Sequence, residues 1–273
     1  MAELRVAIAG AGGRMGGANV RAVAKANGMV VAAAFERDGS PLAGRDVGEV
    51  AGIEALGVTI STDPATALDG VDAIIDFTAP ASTVALVQAA AARGLIHIIG
   101  TTGLSADDEA AIADAANAGA RIVKAGNFSL GMNLLMGLVK QAAAALPDFD
   151  VEILEMHHNR KVDAPSGSAL MLGEAAAEGR GVDLASQSVR VRDGHTGARE
   201  AGKIGFATLR GGNVIGDHTV ILAGPSERLE LGHIADDRSL FAEGAARAAL
   251  WAADKPAGLY SMADVLGFTK KES

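Results

Sequence analysis

A glycine-rich turn near the N-terminus is the feature that most restricts how this chain can fold. The β-rich segment Leu4–Ala9 runs into Gly10-Ala11-Gly12-Gly13-Arg14-Met15-Gly16, and a helix is predicted over Asn19–Ala26. Glycines at such a turn let the backbone approach a pyrophosphate, and the following helix offers free N–H groups and the positive end of its dipole. The spacing is G-x-x-G-x-x-G and not the usual G-x-G-x-x-G. The flanking strand and helix favour a dinucleotide site over a glycine turn that binds nothing.

The N-terminal half then alternates between short apolar runs and helical segments. The apolar runs Met29–Phe35, Asp72–Phe77, Leu95–Ile99 and Arg121–Lys124 are predicted strands. Strands that alternate with helices in this way form parallel sheets with right-handed crossovers. The predicted fold class is α/β, with a Rossmann-type, doubly wound parallel sheet.

The pattern changes from Asp150 onward, where strand-like runs follow one another with short turns. Such runs favour a mixed or antiparallel sheet, and Arg210–Thr219 is consistent with a tight hairpin. The last forty or so residues return to helix, at Ser239–Ala253 and Met262–Gly267. We therefore predict a dinucleotide-binding domain over 1–129 and 239–273, and an inserted α+β domain for substrate binding and oligomerisation over 130–238.

Composition excludes several classes of function. The formal net charge of −9 and the aromatic content of 3% argue against nucleic-acid binding, which needs a basic face or stacking platforms. The 273 residues include no cysteine, so disulfides and thiolate sites are excluded. No apolar stretch reaches the roughly 20 residues of a membrane span, and the N-terminus does not resemble a signal peptide. We expect a cytoplasmic protein that binds neither nucleic acid nor membrane.

Further cofactor ligands are predicted where strands end. Glu36, after the second strand, is placed to bind the ribose hydroxyls of NAD, whereas Arg37 suits the 2′-phosphate of NADP. Both residues together suggest NADH and NADPH. Ligands of open α/β sheets bind at the carboxyl ends of strands, although each such segment alone is also an ordinary turn. These segments contribute Phe77, Gly100, Thr101, Thr102, Ala125, Gly126, Asn127 and Phe128.

A second dense group of polar residues runs from Glu155 to Ser168. It contains His157, His158 and Lys161, and Ser166-Gly167-Ser168 opens a helix whose free N–H groups suit a carboxylate. The alternative is a solvated polar loop, and the density of the group favours a site. Adjacent histidines on an extended strand face opposite ways, so no metal site is predicted. Spacing alone does not decide whether Glu155, His218 or Arg238 supports the pocket.

These motifs together resemble the 4-hydroxy-tetrahydrodipicolinate reductase family, formerly called dihydrodipicolinate reductase. The most specific motif is Glu-x-His-His-x-x-Lys-x-Asp-x-Pro-Ser-Gly over 155–167, joined by the glycine turn, Gly-Thr-Thr-Gly at 100–103 and Asn-Phe-Ser at 127–129. The resemblance implies NAD(P)H-dependent reduction of a cyclic imine dicarboxylate in diaminopimelate and lysine biosynthesis. It also implies a homotetramer formed through the sheets of the substrate domain.

The resemblance assigns roles to individual residues. It implies that His157 gives or takes a proton and that Lys161 donates one, while a substrate carboxylate is held by His158, Ser166, Gly167 and Ser168. It places the cofactor on Gly10, Ala11, Gly12, Gly13, Arg14 and Met15, with Glu36, Arg37 and the strand-end residues above. The family commonly has Thr where this chain has Ser168, which keeps the hydroxyl.

Two other functions stay open at this point. Another nicotinamide-dependent dehydrogenase, such as one acting on aspartate, would keep the glycine turn and Glu36 without needing the His157 motif. A redox-sensing module would bind NAD(H) without turnover, and replacing His157 and Lys161 would leave its function unchanged.

Overall fold

The computed structural model describes residues 3–268, which divide into two compact units. The first unit comprises 3–130 with 239–268, and the second comprises 131–238. The sequence prediction placed the boundaries at 129/130 and 238/239, and its residues 269–273 lie outside the described part of the chain. None of the described helices combines the length and the apolar character needed to cross a bilayer.

The described residues contain twelve strands and ten helices. The strands are β1 (Leu4–Ala9), β2 (Met29–Phe35), β3 (Ile60–Ser61), β4 (Ala73–Asp76), β5 (Ile96–Ile99), β6 (Arg121–Lys124), β7 (Asp150–His157), β8 (Ser188–Val189), β9 (Ile204–Arg210), β10 (Asp217–Ala223), β11 (Arg228–Ile234) and β12 (Gly258–Tyr260). The helices are α1 (Arg14–Lys25), α2 (Val47–Val50), α3 (Pro64–Ala67), α4 (Pro80–Arg93), α5 (Ala106–Asn117), α6 (Leu130–Ala145), α7 (Gly167–Arg180), α8 (Leu184–Gln187), α9 (Ser239–Ala252) and α10 (Met262–Val265).

The first unit is built on one parallel sheet of seven strands in the order β12-β6-β5-β4-β1-β2-β3. Its central strands are apolar on both faces because both faces are covered. In β1, Val6 and Ile8 pack into one core cluster, and Ala7 and Ala9 pack into the other. This arrangement confirms the predicted doubly wound sheet, in which a strand buried on both sides carries a continuous apolar run.

One strand of this unit was missed and one helix start was predicted wrongly. The two predicted C-terminal helices are present as α9 and α10, but Gly258–Tyr260 between them forms β12 beside β6, with the Gly258 amide donating to the Ala120 carbonyl at 3.0 Å. Three residues are too few to carry a periodic pattern. Helix α1 begins at Arg14 and not at Asn19. Gly16 in its first turn packs too closely for a side chain, and the neighbouring glycines mask the helical pattern in the sequence.

The second unit contains a mixed five-stranded sheet in the order β11-β10-β7-β9-β8. Strand β7 lies at the centre, parallel to β9 and antiparallel to β10. Strands β9 and β10 are therefore not neighbours, and the hairpin predicted over Arg210–Thr219 was wrong. The mixed sheet itself was predicted correctly.

One face of this second sheet is covered by helices of the same unit. Alternate residues of β7 and β10, including Val151, Ile153, Val220 and Leu222, pack with apolar residues of α6 and α7. The other face carries the intervening residues, which are only partly buried. Glu155 and His157 continue the buried row of β7, so the strand carries its functional side chains on the same face as its core residues.

Candidate active site

The glycine turn after β1 packs against the start of α1 with no room for side chains. Gly10 adopts φ +63°, in the left-handed region, and a Cβ at Gly16 would overlap the Gly10 carbonyl oxygen. The residue that precedes the helix, Gly13, has no side chain to cap it. The amide groups of the first helical turn are therefore left for solvent or for an anionic ligand.

Glu36 lies directly against this turn. Its Oε1 accepts a hydrogen bond from the Gly12 amide at 2.8 Å, and the exposed Arg37 follows it. A cavity of 360 Å³ opens here. It is lined by Gly10, Gly13, Phe35, Glu36, Arg37, Pro64, Phe77, Thr78, Ala79 and Ser82. Glycine turn, acidic residue and cavity together fit the adenosine and pyrophosphate parts of a dinucleotide.

The other predicted cofactor residues lie at the same edge of the sheet without lining this cavity. Gly100, Thr101 and Thr102 follow β5, and 125–128 follow β6. Three of their side chains are used within the unit. The Thr101 hydroxyl bonds to that of Thr83 at 2.8 Å, Asn127 Oδ1 accepts from the Ser129 amide at 2.8 Å, and Phe128 is buried with its ring 5.5 Å from that of Phe77.

In the second unit, the sheet register brings together side chains that are far apart in sequence. Across β7 and β9, His157 pairs with Arg210, and across β7 and β10, Glu155 pairs with His218. Glu155 is 1% exposed, and both of its carboxylate oxygens accept hydrogen bonds. Its donors are both terminal nitrogens of Arg210 (2.8 and 3.0 Å), the Ser166 amide (3.0 Å) and His157 Nδ1 (2.6 Å).

These contacts keep Glu155 ionised. Burial alone would favour the neutral acid, but the bonds from Arg210, His157 and the Ser166 amide hold the pKa of Glu155 below its usual range. An ionised carboxylate only accepts hydrogen bonds, so Nδ1 of His157 carries the hydrogen. The Nε2 atom of His157 is thereby left for other chemistry.

The surroundings of His157 are equally constrained. The ring of His218 meets it edge-on, with centroids 5.2 Å apart, and burial together with the charge of His157 lowers the pKa of His218 from its ordinary value of 6.5 to about 4. A Cβ at Gly216 would lie 2.9 Å from His157 Nε2. Because Gly216 has no side chain, His157 Nε2 has room at this position.

The loop after β7 carries the other predicted residues. Lys161 Nζ donates to Asp163 Oδ1 at 2.8 Å, and the Lys161 amide donates to the His158 carbonyl at 3.1 Å. Partial burial and the positive charges of Arg160 and Arg238 lower the pKa of His158. Arg160 and Lys161 thus place two positive charges next to each other on this loop.

Ser166 has a different position from its neighbours Gly167 and Ser168. It is 1% exposed, its hydroxyl accepts from the Ala169 amide at 3.1 Å to cap α7, and the same oxygen lies 3.2 Å from His218 Nε2. The polar groups of Ser166 are thus used within the unit. Gly167, at the start of α7, is exposed.

Two family models cover almost the whole described chain. Residues 4–128 match the N-terminal domain of dihydrodipicolinate reductase, and residues 131–266 match its C-terminal domain. The chain belongs to the dihydrodipicolinate reductase family. This confirms the resemblance seen in the sequence motifs.

Individual members of this reductase family are similar over the full length. The 4-hydroxy-tetrahydrodipicolinate reductase of Chelativorans sp. (strain BNC1) is 60% identical over 99% of this chain and 98% of its own length. That of Rhizobium rhizogenes (strain K84 / ATCC BAA-868) is 57% identical over 98% of each chain. The dipicolinate-bound dihydrodipicolinate reductase from Paenisporosarcina sp. TG-14 shares the fold, with a TM-score of 0.77, 24% identity and coverage of 95% of this chain and 97% of that one.

Sequence reasoning missed or left open several residues that shape the site. Arg210 and Gly216 were not singled out, and Glu155 and His218 were left undecided. Glu155 carried a detectable signal, because Val151, Ile153, Glu155 and His157 alternate as one buried face of a strand. Among residues 3–268, no group of three or more His, Cys, Asp or Glu side chains is arranged to hold a metal ion.

Proposed function

We propose that this chain catalyses the NAD(P)H-dependent reduction of 4-hydroxy-tetrahydrodipicolinate to tetrahydrodipicolinate, in the diaminopimelate and lysine pathway. The observation that carries the proposal is the buried Glu155–His157 pair at 2.6 Å, held by Arg210, in a member of the dihydrodipicolinate reductase family. Family membership favours this reaction over the alternative, a nicotinamide-dependent amino-acid dehydrogenase such as one acting on aspartate.

Residues of the first unit hold the nicotinamide cofactor, which supplies a hydride when bound. The backbone from Gly10 to Met15 binds the pyrophosphate, supported by the uncapped start of α1. Glu36 binds ribose hydroxyls and Arg37 the 2′-phosphate of NADPH, so the enzyme uses both NADH and NADPH. Phe77 and the backbone segments that follow β5 and β6 form the rest of the cofactor site at this edge of the sheet. Use of a soluble cofactor fits the cytoplasmic location predicted from the sequence.

Residues of the second unit hold the substrate. One carboxylate of the cyclic imine binds the amide groups of Gly167 and Ser168 at the start of α7, the Ser168 hydroxyl and His158. The Lys161 ammonium adds positive charge to the same loop. Ser166 contributes indirectly, because its hydroxyl caps α7 and its amide holds Glu155.

His157 and Lys161 manage the proton. Loss of the 4-hydroxyl group as water, with a proton from the neighbouring ring carbon, turns the substrate into a conjugated imine. Hydride then adds to this imine, and the enamine carbon that results needs one proton. Because Nδ1 of His157 donates to Glu155, the proton is held and moved at Nε2. The Lys161 ammonium is the second candidate donor, and both cations stabilise negative charge as it develops.

We also propose that the chain forms a homotetramer through the uncovered face of its second sheet. One row across that face consists of Leu209, Met156, Asp217 and Ile234, which pair in register from β9 to β11. Leu209 is 48% exposed and Ile234 is 71% exposed. Exposed apolar residues on a sheet face that the helices of the unit do not cover support burial in an interface.

The test of the reaction is the loss of NADH or NADPH absorbance on addition of freshly made substrate, formed by enzymatic condensation of pyruvate with aspartate semialdehyde. We expect turnover in the wild type that collapses in His157→Ala and in Lys161→Ala, since general acid–base groups contribute on the order of 100-fold or more. A folded protein that binds NADH but turns over with neither cofactor would instead favour the dehydrogenase or the sensor.

A further inference from the structure

A buried polar cluster lies behind the cofactor edge of the first unit. Its centre is Asp76, the last residue of β4, which is 0% exposed, as are His97 on β5 and Thr83 on α4. Such groups are costly to bury unless each is hydrogen-bonded, so their arrangement needs a reason. None of the three is among the residues assigned to cofactor or substrate.

The Asp76 carboxylate accepts hydrogen bonds at both oxygens. Oδ1 receives the amide of Thr78 at 2.9 Å and its hydroxyl at 2.6 Å, and Oδ2 receives the Thr83 hydroxyl at 2.7 Å and lies 3.3 Å from His97 Nε2. Burial opposes the charge, but the bonds from His97, Thr78 and Thr83 hold the pKa of Asp76 below its usual range. An ionised Asp76 requires that His97 Nε2 carry the hydrogen between them.

The first branch of the cluster leads to the wall of the cavity. Because its hydroxyl points inward to Asp76, Thr78 turns its methyl group toward the glycine turn. A Cβ at Gly10 would lie 2.9 Å from Thr78 Cγ2. Gly10 and Thr78 both line the 360 Å³ cavity. By holding the Thr78 side chain, the Asp76 carboxylate fixes the contact between Thr78 and Gly10 in the cavity wall.

The second branch leads to the end of β5. The Thr101 hydroxyl bonds to Thr83 at 2.8 Å, and the Gly100 amide donates to the Asp76 carbonyl at 2.8 Å. A Cβ at Gly100 would overlap the ring of Phe77, so this ring lies directly against the glycine. Asp76 thus ties together the segments that follow β4 and β5.

We infer that Asp76, supported by Thr83 and His97, is a positioning residue for the dinucleotide, which it serves by holding Thr78 against the glycine turn and Thr101 at the end of β5. The inference rests on the proposed function only in taking this cavity as the cofactor site. It predicts that disturbing the cluster changes cofactor affinity more than catalytic turnover.

The test uses two substitutions at Thr83, which faces the cluster and not the cavity. Thr83→Val keeps the size of the side chain and removes the hydroxyl, whereas Thr83→Ser keeps the hydroxyl. We expect Thr83→Val to weaken NADH and NADPH binding alike, by roughly tenfold in Kd measured by fluorescence titration, because the lost bond is to a charged acceptor. Thr83→Ser should stay within about twofold of the wild type, and kcat at saturating cofactor should change little in either variant.

A stability control separates positioning from general weakening of the fold. Ile112 is a fully buried residue of α5 that belongs to the same hydrophobic core as apolar residues of β4, α4 and β5, but it lies outside the polar cluster. Ile112→Val removes one methylene from it. If Ile112→Val lowers Tm as much as Thr83→Val and weakens cofactor binding equally, Asp76 has no positioning role. Should Thr83→Val not fold, His97→Leu and His97→Gln form a second pair, of which only Gln keeps a donor for Asp76.

The outcomes distinguish this inference from the proposed reaction. Equal cofactor affinity in Thr83→Val and Thr83→Ser, in a protein that reduces the substrate, overturns the inference alone. A wild type that binds NADH without reducing the substrate, and whose affinity falls in Thr83→Val, overturns only the reaction. A wild type that binds neither cofactor overturns both.

Discussion

Arg210 binds both carboxylate oxygens of Glu155, at 2.8 and 3.0 Å, from the strand beside β7. The same arginine donates to the Asp163 carbonyl at 2.6 Å and so also fixes the loop that carries Lys161. A buried carboxylate with a bidentate arginine keeps its charge and its orientation. Glu155 can therefore hold the His157 ring in one position, with Nε2 directed away from it.

The first prediction concerns Glu155→Gln. The substitution removes the charge and replaces one acceptor oxygen by an NH2 donor, so hydrogen is no longer held on Nδ1 of His157. We expect kcat to fall by at least about tenfold while the Kd for NADH is unchanged. Leaving Arg210 without its buried partner should also lower the free energy of unfolding by about 3 kcal/mol. Steady-state kinetics and urea unfolding measure the two effects.

Glu152→Gln is the matched control for that variant. Glu152 lies on the same strand, three residues earlier and on the other face, and it pairs with Arg192 and Arg199 instead of a histidine. It should keep its kcat within about twofold. Equal loss of kcat in both variants would mean that Glu155 acts only on the stability of the sheet.

The second prediction is a pH dependence of stability. The pKa of His218 falls from 6.5 in the unfolded chain to about 4 in the folded protein, so between these values the unfolded state holds more protons. Stability is therefore complete above pH 6.5 and declines as the pH falls toward 4, by up to about 3 kcal/mol in all.

Unfolding free energies measured between pH 7 and pH 4 (about 1.4 kcal/mol per pH unit at most for one proton) test this decline. His218→Gln should flatten the curve in this range, while His195→Gln, at an exposed loop position, should follow the wild type. A curve for His218→Gln as steep as that of the wild type would assign the decline to other groups.

The third prediction concerns cofactor choice. Arg37→Ala removes the cation proposed for the 2′-phosphate, and we expect the Kd for NADPH to rise roughly tenfold with NADH unchanged, because only NADPH carries that group. Arg45→Ala, another exposed arginine of the first unit, should alter neither Kd. Equal losses for both cofactors in Arg37→Ala would contradict the assignment.

The fourth prediction concerns assembly. In a double variant, Leu209→Glu with Ile234→Glu, two charges enter the uncovered sheet face, and we expect the mass measured by light scattering to fall from that of a tetramer. The control is Val182→Glu, which also replaces an exposed apolar residue by glutamate but lies after α7. It should leave the mass unchanged. A wild type that is monomeric at micromolar concentration would refute the tetramer itself.

The first unit was largely predictable because its signals are local. The glycine turn, the acid after β2 and the polar residues at strand ends are each encoded within a few residues, and a parallel α/β sheet brings such ends to one edge. Sequence could not say which of these side chains stay available. Thr101 and Phe128 were predicted as cofactor ligands, yet the Thr101 hydroxyl belongs to the Asp76 cluster and the Phe128 ring to the core.

The second unit was less predictable because its chemistry depends on strand pairing. The order β10-β7-β9 places Arg210 opposite His157 and His218 opposite Glu155. A hairpin over Arg210–Thr219, which the turn residues suggested, would have paired β9 with β10 and separated these groups. Local turn composition does not distinguish the two arrangements.

The sequence by itself determined the residue types and their spacing: the glycine turn, the alternation of strand and helix, and the histidine and lysine motif that specifies the family. Only the tertiary structure decided the partners, namely Arg210 for Glu155, His218 beside His157, and Asp76 for Thr78 and Thr83. The physical reason is that short-range patterns follow from backbone periodicity and propensity. Contacts between distant residues depend on sheet order and register, which burial over the whole unit selects.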